Sequence, residues 1–111
     1  MKDDRAFLGH MHDALTRIAE YTTGGREDFL ADARTQDAVV RQLEILGEAA
    51  KRISAVTRAL APDVPWSRIA GMRDRLIHDY VGFDLAIVWQ VVERDAPGLR
   101  DAISRLLRDA R

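Results

Sequence analysis

Apolar side chains recur every three to four residues along most of this chain, and no stretch alternates apolar and polar residues for long enough to predict a strand. That spacing places them on one face of an α-helix. Helices with one apolar face bury it by packing on one another. We therefore predict an all-α fold, a bundle of four or five helices.

The whole chain, residues 1–111, is expected to form a single helical domain. A chain of 111 residues is too short for two separate hydrophobic cores, and its 47% apolar and 32% charged residues provide for one core and a charged surface. There is no internal repeat, low-complexity tract or linker.

Two helices are predicted in the first half. The first helix follows Asp3 and Asp4, and either carboxylate is expected to accept hydrogen bonds from the first free amides of the helix. This helix is predicted to end at Gly24 and Gly25. The second is the longest, with Thr35 as its cap and one apolar stripe made of Val39, Leu43, Leu46, Ala50, Ile53, Val56 and Leu60. Residues 27–30 are expected to form a short turn or a connection between these two helices.

Prolines divide the second half. Pro62 and Pro65 end the second helix, and a third helix is expected to begin at Pro65 or Trp66 and to end between His78 and Gly82. Asp84 is predicted to cap a fourth helix, which the Pro97-Gly98 pair separates from a last amphipathic piece.

Composition excludes several classes of site. The chain has no cysteine, so it contains no disulfide, thiolate metal site or cysteine nucleophile. Its formal net charge of −1 gives no general attraction to nucleic acid, so any such contact must be local. The polar, acidic N-terminus does not resemble a signal peptide and no stretch is long and apolar enough for a membrane span, which favours a cytoplasmic protein.

No metal or other cofactor is expected. His10 and His12 lie about 200° apart around a helix and cannot bind one metal ion from the same face. There is no Glu-x-x-His pair and no glycine-rich phosphate loop. Ser54, Ser67 and Ser104 fit surface or capping roles. In the second helix, Glu44, Glu48, Lys51 and Arg52 fit exposed charge pairs, and no function is assigned to them.

The most informative stretch lies between Trp66 and Trp89. Arg73, His78 and Tyr80 form an R-x4-H-x-Y pattern. Arg5 and His10 repeat the R-x4-H spacing alone, which shows that the pair is weak evidence. Chance alone gives about 0.007 copies of the full pattern in this composition, so the added tyrosine makes the signal much stronger.

The segment from Pro65 to Trp89, with its core Met72-Arg73-Asp74-Arg75-Leu76-Ile77-His78-Asp79-Tyr80, resembles the HepT-like branch of the HEPN ribonucleases. A looser similarity extends over the whole chain, including residues 44–50. The resemblance implies a helical-bundle toxin of a HepT/MNT toxin–antitoxin pair, type VII-like, in which a minimal nucleotidyltransferase is the antitoxin.

The resemblance also implies roles for individual residues. Arg73 and His78 match the catalytic arginine and histidine of a metal-independent RNA endonuclease whose site forms where two protomers of a homodimer meet. Tyr80 matches the tyrosine to which the antitoxin attaches AMP. Asp74 departs from the family, which more often has asparagine there, and its extra carboxylate would repel RNA.

Residue chemistry agrees with these roles. Histidine titrates near neutral pH and suits a general base, and arginine remains charged and suits stabilisation of phosphate oxygens. On one straight helix, however, Arg73 and His78 would lie about 140° apart, whereas Arg73 and Tyr80 would lie within about 20° of each other. Convergence therefore requires either a loosened helix near His78 or a second copy of the chain.

Other interpretations stay open at this stage. A histidine near a helix end commonly caps or packs, and Tyr80 would also suit a core position with its hydroxyl at the edge. Trp66 and Trp89 are expected to be structural. The alternative function is a non-catalytic helical adaptor or nucleotide-binding partner of a nucleotidyltransferase, which would use the same surface without cleaving RNA.

Overall fold

The computed structural model describes residues 2–72, 74 and 84–109. No strand lies in these ranges, so the predicted all-α fold is confirmed. The helices are α1 (Lys2–Tyr21), α2 (Gly25–Ala31), α3 (Ala33–Lys51), α4 (Ala55–Ala59), α5 (Trp66–Ala70), α6 (Leu85–Gln90) and α7 (Ala96–Asp109), with a π-helical segment, Val91–Asp95, between α6 and α7.

The core is built on the two longest helices, α1 and α3, which pack against each other along most of their lengths. Because each has one apolar stripe, both stripes are removed from water together. Helix α7 packs on α1 and α5 packs on α3. The fully buried residues at the centre are Leu8, Met11, Leu15, Ile18, Val39, Leu43, Leu46 and Ala50.

The predicted stop of the first helix at Gly24 and Gly25 is confirmed. Gly25 has a φ of +85°, a conformation that favours glycine, and its amide donates to the Thr22 carbonyl. Residues 27–30 lie within α2, which buries Phe29. The Phe29 ring lies 5.4 Å from that of Trp89, so α2 and α6 are joined by an aromatic contact.

The predicted cap of the second helix, Thr35, is wrong. Asp32 is the N-cap of α3: its carboxylate accepts a hydrogen bond from the Arg34 amide at 3.0 Å. The Thr35 hydroxyl donates to the same carboxylate, and these two bonds lower the pKa of Asp32. Asp32 has two nearby donors for its carboxylate, so Asp32 is the N-cap and Thr35 is not.

The second helix is also shorter than predicted. It ends at Lys51, and Ser54 then caps the separate α4 by accepting from the Thr57 amide. Val56 and Leu60, which the stripe placed in the core, are 71% and 69% exposed. The change of direction at Ser54 moves them off the buried face of α3.

The predicted capping role of Asp4 is wrong as well. Helix α1 begins at Lys2, and the Asp4 carboxylate instead accepts from the Ser54 amide at 2.9 Å, from the Ser54 hydroxyl and from the Thr57 hydroxyl at 2.6 Å. Asp4 is only 4% exposed. It therefore joins the start of α1 to the start of α4.

The predicted separation at Pro97 and Gly98 is wrong. Helix α6 continues without interruption into the π-helical segment and then into α7, and the Ala96 amide donates to the Val91 carbonyl, five residues earlier. Proline has no amide hydrogen and its ring collides with the preceding turn of an α-helix. The wider π turn just before Pro97 provides a way for the helix to continue.

The described helices include none with the length and apolar character needed to cross a membrane.

Replacing Asp4 by alanine should lower the free energy of unfolding by about 3 kcal/mol, because the Ser54 amide and two hydroxyls would lose a charged acceptor. Burial alone would raise the pKa of Asp4 above its ordinary value of 3.8, but hydrogen bonds from Ser54 and Thr57 outweigh burial and lower it. The stabilisation is therefore complete above the unfolded-state pKa and is lost as the pH falls through the lower folded-state value.

Urea unfolding at steps from pH 7 to pH 3 measures this effect. The difference in stability between wild type and Asp4→Ala should narrow as the pH falls. Asp3→Ala, at the exposed neighbouring position, is the control and should change stability little. A difference that stays constant over this range would contradict the role given to the Asp4 carboxylate.

Candidate active site

The segment that carries the R-x4-H-x-Y pattern is held at its N-terminal side by α5. This helix begins at Trp66, one of its two predicted starting residues, with Pro65 as its N-cap, and it ends at Ala70, earlier than the predicted end between His78 and Gly82. Trp66 is buried and its indole Nε1 donates to the Ala61 carbonyl at 3.1 Å, and Ile69 is buried as well. Met72 is helical and half-buried. Because α5 packs on α3, the position of the chain just before the motif is fixed relative to α3.

Of the four predicted site residues, only Asp74 is among those described, and it is helical and exposed. Arg73, His78 and Tyr80 lie outside the described residues, so their placement stays a prediction.

The segment is held at its C-terminal side by α6. The Asp84 carboxylate accepts from the Ala86 amide at 3.1 Å and from the Ile87 amide at 3.3 Å, which confirms Asp84 as the cap of this helix. One turn later Val88 and Trp89 are buried. Both tryptophans are thus structural, as predicted, and they fix the elements on either side of the motif.

A cleft of about 290 Å³ lies beside Met72, between α5, the π-helical segment and α7. Its apolar lining includes Leu43, Ile69 and Leu99. Its charged lining residues are Asp63, Arg68, Arg94, Asp95 and Arg105, all exposed. Arg68 pairs with Asp95 at 3.4 Å. Arg94 and Arg105 also border the cleft, and Asp63 offsets one of their two charges, so the lining carries a net positive charge of one.

A second concavity, of about 280 Å³, lies between α1 and α3. The Phe7 ring lies within it, with the His10 ring centroid 5.9 Å away and the Arg52 guanidinium carbon 5.7 Å above. Its other lining residues are Arg41, Glu44, Ile45, Glu48 and Ala49. We call this concavity the α1–α3 groove.

In the part of the chain that is described, no three histidine or carboxylate side chains are grouped as metal ligands.

The family model described as "Ribonuclease HepT-like" matches residues 11–106, nearly the whole chain and all of the segment just described. The chain belongs to this family. A "Probable ribonuclease HepT" from Thermococcus cleftensis is 41% identical over 106 residues, which cover 95% of this chain and 96% of the relative.

Two further relatives agree with this assignment. A protein from Caldanaerobacter subterraneus subsp. tengcongensis, named provisionally as an RNase, is 38% identical over 97% of both chains. A Methanocaldococcus jannaschii protein is also 38% identical, over 97% of this chain but only 49% of its own length, and its name adds a gamma-glutamylcyclotransferase to a provisional RNase. No solved structure matches the chain. The family and these names support a ribonuclease.

Sequence reasoning missed the arginines of the cleft beside Met72. Arg68, Arg94 and Arg105 belong to three different elements. The chain has fifteen arginines, and nothing in the sequence distinguishes these three from the others. No spacing rule joins them, because only the packing of α7 beside α5 gathers them at one cleft.

Asp84→Ala should lower the free energy of unfolding by about 1 kcal/mol, the usual cost of losing an N-cap acceptor. Asp84→Asn retains an acceptor oxygen and should keep most of the stability. Thermal unfolding followed by circular dichroism measures both, with the exposed Asp101→Ala in α7 as control. Equal stability of Asp84→Ala and wild type would show that this cap does not hold the start of α6.

Proposed function

We propose that this protein is a metal-independent RNA endonuclease, the toxin of a type VII-like toxin–antitoxin pair whose antitoxin is a nucleotidyltransferase. The observation that carries the proposal is the complete R-x4-H-x-Y pattern, at residues 73–80, in a chain that belongs to the ribonuclease HepT-like family. The burial of Trp66 and Trp89 on either side supports it, because two anchored elements bracket the motif.

In this proposal His78 acts as the general base and Arg73 stabilises charge. The imidazole removes the proton of an RNA 2′-hydroxyl, whose oxygen attacks the adjacent phosphorus. The bond from phosphorus to the 5′-oxygen breaks, and that oxygen takes up a proton. The Arg73 guanidinium binds the phosphate oxygens as negative charge accumulates on them. No cofactor is required.

The active form in this proposal is a homodimer. Arg73 and His78 diverge by about 140° on one straight helix, and a two-fold axis would bring each motif beside its counterpart. The partners are then RNA, a second copy of the chain and the antitoxin, without a membrane, and the proposed location is the cytoplasm.

Regulation is proposed to act through Tyr80. Its phenolic oxygen attacks the α-phosphorus of ATP on the antitoxin, the bond to the β-phosphate breaks, pyrophosphate leaves and the phenolic proton passes to a base or to solvent. The attached AMP adds bulk and negative charge two residues from the proposed base. It would block the site and repel RNA, as phosphorylation does elsewhere.

Arg73→Ala and His78→Ala should each lower RNA cleavage by at least about a hundredfold, the usual contribution of a general base or an electrostatic donor. Cleavage of a labelled RNA by purified protein measures this effect, together with growth on expression in a bacterial host. Arg26→Ala, in the exposed part of α2, and His12→Ala, in α1, are matched controls and should cleave normally.

Two outcomes would contradict the proposal. Full cleavage by His78→Ala would show that His78 is not the base, and cleavage that EDTA abolishes and Mg²⁺ restores would show that the reaction depends on metal. Absence of cleavage by wild type, with tight binding to the nucleotidyltransferase, would favour the non-catalytic adaptor.

Tyr80→Phe should keep most of the nuclease activity and escape inactivation by the antitoxin. Phenylalanine preserves the ring and its packing but has no oxygen to modify. Wild type and variant are incubated with the neighbouring nucleotidyltransferase and ATP, and intact mass and RNA cleavage are measured in parallel. Equal AMP addition to both proteins would show that another residue is the acceptor, and full cleavage by the modified wild type would remove the regulatory role.

A further inference from the structure

The cleft beside Met72 is lined in part by the hydrophobic core itself. Leu15, Leu43 and Leu46 line it and are each at most 1% exposed, so this part of the wall is held by the α1–α3 contact. Met72 and Leu99 also line the cleft and are only half-buried, so they offer apolar surface that a ligand could cover. The volume of about 290 Å³ is close to the lower end of the range of small-molecule sites, roughly 300 to 1,000 Å³. The cleft therefore has the size and the wall of a site for a small ligand.

The charged residues of the lining leave one positive charge without a counterpart. Arg68 and Asp95 pair with each other. Asp63 and Arg105 both also line a neighbouring hollow of about 200 Å³, so these two opposite charges lie on the same side of the cleft. Arg94 does not line that hollow, and it makes no ion pair among the described residues. Its guanidinium is thus the group of the lining best placed to bind an anion.

The π-helical segment forms part of the wall. Val91, Arg94 and Asp95, three of its five residues, line the cleft. Such wider turns inside helices are frequently found at functional sites. Gly98 follows in α7 and also lines the cleft, and among the described residues a Cβ placed on it would meet no atom within 4 Å beyond its chain neighbours and its own helical backbone. The space beside Gly98 is therefore open to a ligand.

We propose that the cleft beside Met72 binds a small monoanion with an apolar body, of the class of a medium-chain carboxylate. The body lies against Met72, Val91 and Leu99, and the carboxylate accepts hydrogen bonds from the Arg94 guanidinium. A single negative charge matches the net charge of the lining, whereas a polyphosphate brings several negative charges close to the two carboxylates there. Binding requires neither RNA nor a second copy of the chain, so the inference is independent of the proposed function.

Displacement of a fluorescent probe tests the class of ligand. The probe is 1-anilinonaphthalene-8-sulfonate, which has an apolar body and one negative charge. Wild type should bind one probe per chain, and octanoate should displace it. Octanol has the same chain without the charge, and acetate has the same charge without the chain, so each should require an at least about tenfold higher concentration. Octanol as effective as octanoate, or displacement by ATP at the concentration at which octanoate acts, would overturn the proposed class.

Substitutions locate the ligand in the cleft. Arg94→Gln should weaken octanoate binding about tenfold or more and leave octanol binding unchanged, because only the bond to the charged group is lost. Arg108→Gln removes the same charge from an exposed position of α7 that lines neither the cleft nor the neighbouring hollow, and it should bind as wild type does. Gly98→Leu should weaken the binding of both ligands, because its side chain takes up part of the space. Gly9→Leu, at a glycine of α1 with equally open surroundings, is the matched control and should weaken neither.

Circular dichroism should give wild-type helicity for Arg94→Gln and Arg108→Gln, because both positions are exposed. Lost affinity in the first variant alone then reports on the cleft and not on folding. Octanoate binding by Arg94→Gln at the wild-type affinity would overturn the inference. So would unchanged binding of both ligands by Gly98→Leu, since the ligand would then lie elsewhere.

Discussion

The apolar contact between α1 and α3 determines where the other described elements lie. Leu8, Met11 and Leu15 on one helix and Leu43 and Leu46 on the other lose nearly all contact with water. Burial of that much apolar surface is the main favourable contribution to folding. It leaves one further side of α1 for α7 and one further side of α3 for α5. The motif therefore leaves α5 from a surface that the core has already fixed.

Three aspartates at helix starts show how far local reasoning reaches. Asp84 accepts hydrogen bonds from amides two and three residues ahead, a pattern visible in the sequence, and its prediction is confirmed. Asp32 acts in the same way, although Thr35 was the predicted cap. The partners of Asp4 are 50 and 53 residues away. No local rule identifies such partners, because they meet only after α1 has packed on α3.

The continuous helix through Pro97 has a similar explanation. A proline pattern alone predicts a break, since proline removes one hydrogen bond and collides with the preceding turn. Val92 and Ala96 before it and Ile103 after it are nevertheless all buried. A break would have to redirect one of these buried stretches, whereas a π turn costs only a local widening of the helix. Tertiary packing thus overrides the break that the proline pattern predicts.

The candidate site also has one part that the sequence predicts and one part that it does not. The R-x4-H-x-Y pattern and the family to which it leads are contained in the order of residues, and the expected type of function follows from them. Convergence of Arg73 and His78 does not follow, because a straight helix separates them by about 140° and only a change in the helix or a second chain brings them together. The missing information is the course of the helix near His78 or the presence of a second chain, and the order of residues in the motif determines neither.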